Sequence, residues 1–209
     1  MSPASTAVIH IVEDDESVRT ATARLLRAAG YTVETHPSAL AFLAASRAGP
    51  GCVVLDVDLP GMSGMDLQAK FVEASDSLPI VFVTGKGDIP MSVRAIQSGA
   101  IDFLTKPVEK SALLDAVSRA IARDADNRVK HERFQAARKR YEQLTPRERE
   151  VFSHLIAGQL NKQVAFDLGT AERTIKAHRH NIMEKLGVDS MADLVRLAAE
   201  LNIQPVKSD

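Results

Sequence analysis

Cysteine is almost absent: Cys52 is the only one in 209 residues. A single thiol excludes an intramolecular disulfide framework and a cysteine-rich zinc site. Lying in an apolar run, it reads as a small core residue. No apolar stretch approaches the roughly 18 residues that a membrane span requires. The opening MSPASTAV has neither a basic flank nor a long apolar core, so it does not read as a signal peptide, and the expected compartment is the cytoplasm. Net charge is also nearly absent, at −1. Hydrophobic residues at 45% and charged residues at 25% sit near the globular average and exclude a disordered chain.

The near-zero charge hides an uneven split. Residues 1–120 carry 10 basic and 14 acidic side chains, whereas 128–185 carry 13 basic and 7 acidic. An acidic first part and a basic second part suggest two jobs, the second involving a polyanion. In the first part, apolar β-branched runs alternate with helical patterns. Ala7–Val12, Tyr31–Thr35, Cys52–Leu55, Pro79–Val83 and Ile101–Thr105 read as strands. Helices read from Ser17 to Gly30, over Ala39–Ala45 and Met65–Ala74, from Met91 to Gly99, and from an N-cap at Ser111. Such alternation predicts an α/β fold, a doubly wound five-stranded parallel sheet whose strands are buried on both sides.

Chemistry in such sheets gathers at the carboxyl ends of the strands. Glu13, Asp14, Asp15 and Glu16 follow the first strand, Asp56 the third, Thr84 the fourth and Lys106 the fifth. Close carboxylates resist ionisation together unless a cation is present, and Mg²⁺ suits an all-oxygen set. A carboxylate beside a divalent metal, a hydroxyl and an ammonium is a plausible nucleophile toward phosphorus.

Glu13-Asp14, LDVDLPGMSG (Leu55–Gly64), FVTGKGDIPM (Phe82–Met91) and FLTKP (Phe103–Pro107) together resemble the receiver domain of two-component response regulators. The resemblance implies a flavodoxin-like domain over residues 1–122 in which Asp56 accepts a phosphoryl group from a sensor histidine kinase. It implies Mg²⁺ ligated by Asp14, Asp56 and the backbone carbonyl of Asp58, with Glu13 acting through water. Thr84, Phe103 (the aromatic switch), Lys106 and Pro107 would answer phosphorylation, with a cis bond before Pro107. Asp58 and Lys86 are expected to pair across the site.

Three other chemistries fit less well. In haloacid-dehalogenase-type phosphohydrolases, which are true enzymes, the nucleophile follows the first strand, and here Asp56 follows the third. An EF-hand counted from Asp56 would need Glu where Leu67 stands. Gly85-Lys86 lacks the earlier glycine and the following Ser or Thr of a P-loop. His178 and His180 lie two apart on a helix, hence on different faces, and do not suggest a zinc pair. His36 and His131 read as solvated.

From Ser111 to Leu144 there is neither Gly nor Pro. This stretch reads as one helix, about 51 Å long, with residues 123–143 as a helical linker. Phe134, Ala137, Tyr141 and Leu144 form a short heptad-like seam, interrupted upstream by Asp124, Asp126 and Arg128. Either a solvated helix or a dimer-forming, signal-transmitting one fits. Thr145-Pro146-Arg147-Glu148 is a capping box. Helices then end at Gly158, Gly169 and Gly187, with Thr170 and Ser190 as caps of the third and fourth.

The run LTPREREVFSHLIAGQLNKQVAFDLGTAERTIKAHRHNIMEKLGVDS resembles the LuxR-type helix-turn-helix domain. Residues 144–209 are thus expected to form a small all-α four-helix DNA-binding domain. The whole chain resembles FixJ/NarL-type response regulators, with a pattern like that of FixJ- and StyR-like members. The resemblance places Lys176, Ala177 and His180 toward the bases, and Thr174 and Arg179 near phosphates or the groove edge. Arg173, Lys162 and Lys185 are expected on the backbone. Implied partners are a sensor histidine kinase, double-stranded promoter DNA, a second copy on phosphorylation, and RNA polymerase, with no membrane and no enzymatic turnover. The alternative is a phosphorylation-independent DNA-binding regulator that uses its receiver as an interaction module.

Overall fold

Five strands, β1 (Val8–Val12), β2 (Thr32–His36), β3 (Gly51–Asp56), β4 (Ile80–Thr84) and β5 (Asp102–Thr105), form one parallel sheet in the order β2-β1-β3-β4-β5. Helices α1 (Glu16–Ala28), α2 (Ala39–Ala44), α3 (Gly64–Glu73), α4 (Ile89–Gln97) and α5 (Lys110–Glu142) complete the alternation. Four further helices follow: α6 (Pro146–Ile156), α7 (Asn161–Asp167), α8 (Glu172–Leu186) and α9 (Met191–Glu200). This computed structural model describes residues 7–47, 49–74, 76–85 and 88–206. Lys86 lies outside them, and with it the expected pair to Asp58. The chain divides into two units between Arg128 and Val129, within α5.

Strand side chains alternate between two apolar layers. Ile9, Ile11, Cys52, Val54, Val81 and Val83 pack on α1 and α5 through Leu26, Leu113, Ala116 and Val117. Val12, Val53, Leu55, Ile80 and Phe82 pack on α2, α3 and α4 through Phe42, Leu67, Phe71 and Ala95. Only β3 and β4 are buried throughout and β1 nearly so; β2 and β5 are edges and partly exposed. The expectation of five strands buried on both sides fails there because an edge strand has a neighbour on one side only.

Several local expectations are corrected. The helix α5 starts at Lys110, so Ser111 lies inside it and caps nothing. The N-cap of α8 is Ala171, not Thr170. The Thr170 amide instead donates to the Ala165 carbonyl, closing α7 in a Schellman arrangement over Gly169. His36 is buried against His10, not solvated, whereas His131 is exposed. Asp124 does not interrupt a seam: its buried carboxylate accepts the Gly51 amide (2.9 Å) and Arg128 Nε (2.7 Å), tying α5 to the start of β3. Gly51 has to be glycine there, since a Cβ would sit 2.1 Å from the Val8 carbonyl oxygen.

The second unit surrounds Val151, Phe152, Leu155, Val164, Ile175, Ile182, Leu186 and Leu194. Tyr141 and Leu144 join that core, with Tyr141 edge-on to Phe152 at 5.4 Å. Part of the heptad-like seam is therefore core of its own unit. The Thr145 capping box forms as expected: Thr145 Oγ1 accepts the Glu148 amide and Glu148 accepts the Thr145 amide. Ser190 caps α9.

Candidate functional site

The carboxyl ends of β1, β3, β4 and β5 share one rim, where the strand order reverses between β1 and β3. Ligands in doubly wound sheets bind at such a switch point. The chain turns abruptly after β1 because Asp15 caps α1, its carboxylate accepting the Ser17 and Val18 amides. That turn leaves Glu13 and Asp14 on the rim. Arg19 holds it, donating to the carbonyl oxygens of Glu13 (2.7 Å) and Asp14 (3.0 Å). The Glu13 amide donates to the His36 carbonyl of β2.

Asp56 ends β3 and is buried. Its Oδ1 accepts the Asp58 amide at 3.1 Å and its Oδ2 accepts Lys106 Nζ at 2.7 Å. The same ammonium reaches Glu13 Oε2 at 2.6 Å. Lys106 is carried in by β5, where its amide bonds the Thr84 carbonyl and its peptide to Pro107 is cis, as the resemblance implies. Thr84, fully buried at the end of β4, donates Oγ1 to Asp58 Oδ2 over a long 3.4 Å. Phe103 is half-buried in β5, with its ring 6.0 Å from that of Phe82. Gly64 lies so close under Asp56 that a Cβ would meet the Asp56 carbonyl oxygen at 2.3 Å.

Burial pushes the Glu13 carboxyl up from its ordinary value, and the neighbouring Asp56 adds to this against the opposing pull of Lys106. Burial alone would lower Lys106, but its bonds to Asp56 and Glu13 outweigh that and hold the ammonium above its usual value. Carboxylate oxygens of Glu13, Asp14 and Asp56 lie within 4.8 Å of one another, with Asp14 exposed. An all-oxygen set of this charge fits a hard divalent cation, Mg²⁺ among them.

On the second unit, α7, the turn at Leu168–Ala171 and α8 form the helix-turn-helix. Arg173, Lys176, Ala177 and His180 fall at i, i+3, i+4 and i+7 on α8 and are all exposed, so they share one face. Lys176 pairs with Glu172 at 3.2 Å along that face. Thr174 and, on α7, Lys162 are also exposed, while Arg179 is half-buried beside Leu160 and Met191.

Lys185 stands apart from the expected phosphate contacts. Its ammonium lies 2.9 and 2.7 Å from the two oxygens of the buried Glu148. Its charge neutralises a core carboxylate, a role that the expected DNA contact did not include. Sequence reasoning also missed Arg19 and the buried Gln68, whose amide donates to the Ala95 carbonyl and ties α3 to α4. For Arg19 alone was there a local signal, a basic residue one turn after the capping Asp15.

Residues 9–118 match the response regulator receiver domain family, and residues 142–198 match bacterial regulatory proteins of the luxR family. Response regulator protein TodT of Pseudomonas putida is 43% identical over 196 residues, covering 93% of this chain and 86% of TodT. Transcriptional regulatory protein FixJ of Rhizobium meliloti is 39% identical over 195 residues, covering 91% of this chain and 94% of FixJ. The solved structure of response regulator StyR is 47% identical, with a TM-score of 0.77, and the match covers 93% of this chain and 98% of that one. Among the described residues no helix is long and apolar enough to cross a membrane. A receiver domain implies a histidine kinase as partner, and a LuxR-type domain implies DNA. The chain belongs to the two-component response regulators, as a transcriptional regulator that joins a receiver to a LuxR-type DNA-binding domain.

Proposed function

We propose that Asp56 is the phosphoacceptor and that its phosphorylation switches DNA binding. The observation that carries this is the buried Asp56 carboxylate, fixed by the Asp58 amide and Lys106 and flanked by Glu13 and Thr84. An oxygen of Asp56 attacks the phosphorus of a phosphohistidine, the P–N bond breaks, and the imidazole leaves. The product is an acyl phosphate on Asp56. Asp14, Asp56 and the Asp58 carbonyl would hold Mg²⁺, with Glu13 acting through water; when bound, the ion offsets the charge gathering on the phosphoryl oxygens. Lys106 neutralises the phosphoryl group, Thr84 turns its hydroxyl toward it, and Phe103 packs into the space that Thr84 leaves.

Phosphorylation then promotes dimerisation or releases the DNA-binding domain. Moving such an equilibrium from 1:99 to 99:1 takes about 5.5 kcal/mol. A few charge-assisted contacts together with a dimer interface are of that order. On DNA, Lys176, Ala177 and His180 face base edges; the Ala177 methyl suits a thymine methyl. Arg173, Lys162, Thr174 and Arg179 meet phosphates or the groove edge. A dimer would read half-sites about one helical turn apart and present RNA polymerase with a fixed geometry. Light-scattering mass with and without beryllofluoride and Mg²⁺, on wild type and Asp56→Asn, tests the switch. A monomer that becomes a dimer only in the wild type supports it. No change in mass means that the linker already dimerises the protein or that the receiver controls DNA access within one chain, and the mass without beryllofluoride says which.

A further inference from the structure

A second cluster of ligating side chains lies on the opposite edge of the receiver sheet from Lys106. His10 stands in the middle of β1, Glu34 is its register partner on β2, and His36 ends β2. All three side chains share one face of the sheet, because His10 is paired with Glu34 and His36 follows two residues on. His10 Nδ1 lies 3.2 Å from His36 Nε2 and 3.5 Å from Glu34 Oε2, and one ligand atom from each lies within 4.8 Å of the others. From these residues we infer a binding site for a divalent cation of the zinc class, held by two imidazoles and one carboxylate.

The spacing suits that ion. Bonds of about 2.0–2.1 Å in a tetrahedral site put neighbouring ligand atoms roughly 3.3–3.4 Å apart, close to both measured contacts. The donor set suits it too: two neutral nitrogens and one carboxylate oxygen match zinc better than magnesium. Both rings are already oriented, each packed edge-on against Phe42 with centroids 5.6 and 5.2 Å away. Burial lowers both imidazole pKa values against the opposing pull of Glu34.

The charge around the cluster also permits a cation. Arg47, over the Phe42 ring at 4.6 Å, is the nearby positive group, and Asp76 neutralises it at 2.9 Å. Among the described residues Glu34 has no ion pair besides that with His10, and its side chain is half exposed, which leaves a path for the ion. A cavity of about 210 Å³ adjoins His10; the two arginines that line it, Arg47 and Arg128, are each paired, with Asp76 and Asp124. A cation here would pin the edge strand β2 to β1, one hydrogen bond from the acidic cluster, since the His36 carbonyl accepts the Glu13 amide.

The test is a titration of the full chain with Co²⁺ in excess Mg²⁺, followed by displacement with Zn²⁺. A tetrahedral nitrogen–oxygen site gives cobalt an intense visible band, whereas an all-oxygen octahedral site does not. One Co²⁺ per chain with that band, displaced by one Zn²⁺, is expected for wild type and for Asp56→Asn. In His36→Gln the affinity should fall by more than the roughly 10–100-fold that follows loss of an outer-shell partner. Glu34→Ala alters an exposed side chain and spares the core, so it serves if His36→Gln fails to fold. Its band should weaken or vanish, and Zn²⁺ should raise the Tm of wild type but not of this variant. Absence of the band in wild type, or its persistence in both folded variants, overturns the site.

Discussion

Replacing Lys185 by Met separates a core role from a DNA role for this residue. Glu148 is the N3 residue of the α6 capping box and is nearly fully buried, and Lys185 pairs with it at 2.7 Å. Removing one partner of a buried pair costs about 3–5 kcal/mol. The Lys185 side chain is 36% exposed, so water already screens the pair, and about 2–3 kcal/mol is the better expectation. In a domain of this size each kcal/mol moves Tm by roughly 4–8 °C, which gives a fall of roughly 8–24 °C for the second unit. Calorimetry of the full chain, with hydrogen exchange at α6 and α8 amides, reads that loss. The same variant is then titrated onto duplex DNA at several salt concentrations. A lost phosphate contact would reduce the salt slope by about 0.9, and a core tie leaves it unchanged. A slope reduced by about one unit with Tm within roughly 1 °C of wild type would refute the assignment. The pH dependence follows the same pair. Burial alone would raise the Glu148 carboxyl, but Lys185 and Thr145 more than offset this and hold it below its ordinary value. The group therefore stabilises the fold above its unfolded pKa of about 4.3, and that stability is lost as pH falls through the lower folded value. Lys185→Met should flatten this acid limb.

Asp56→Asn should abolish labelling by acetyl phosphate while leaving the fold intact; full labelling would remove Asp56 as acceptor. Asp124→Ala strands the buried Gly51 amide and should cost about 1–3 kcal/mol in urea unfolding without altering labelling, and a cost under about 0.5 kcal/mol would contradict the tie. Lys176→Ala removes a cation from the exposed face of α8 and should weaken DNA binding at unchanged receiver labelling; equal affinity would take Lys176 out of the interface.

The parallel α/β order was legible because each strand is a short β-branched run closed by a polar residue. The rim residues were legible for the same reason: Glu13, Asp56, Thr84 and Lys106 each follow such a run directly. What stayed hidden depends on partners far along the chain. Asp124 meets Gly51 across 73 positions, and Lys185 meets Glu148 across 37. Read locally, each is one more charge on a helix, and nothing nearby marks it as paired. His36 was misread in the same way, since only the β1–β2 register brings it beside His10. The signal that existed was at His10 itself, a lone polar residue inside the apolar run AVIHIV, which has to be buried and therefore partnered. Thr170 failed for a different reason. A threonine after a glycine looks like an N-cap, but its amide was needed to close the preceding helix, and Ala171 took the boundary.

The rim geometry also bears on how a small chemical change could move the receiver. Lys106 divides one positive charge between two buried carboxylates, Glu13 and Asp56, at 2.6 and 2.7 Å. Phosphorylation of Asp56, on the reading proposed above, adds charge to one side of that division and draws the ammonium from Glu13. Glu13 is already the group whose charged form burial disfavours. The Thr84 contact to Asp58 at 3.4 Å is long for a hydroxyl bond and cheap to exchange for a charged acceptor. Both resting contacts are thus replaceable by stronger ones to a phosphoryl group, and the difference between them, not their absolute strength, sets how far the equilibrium moves.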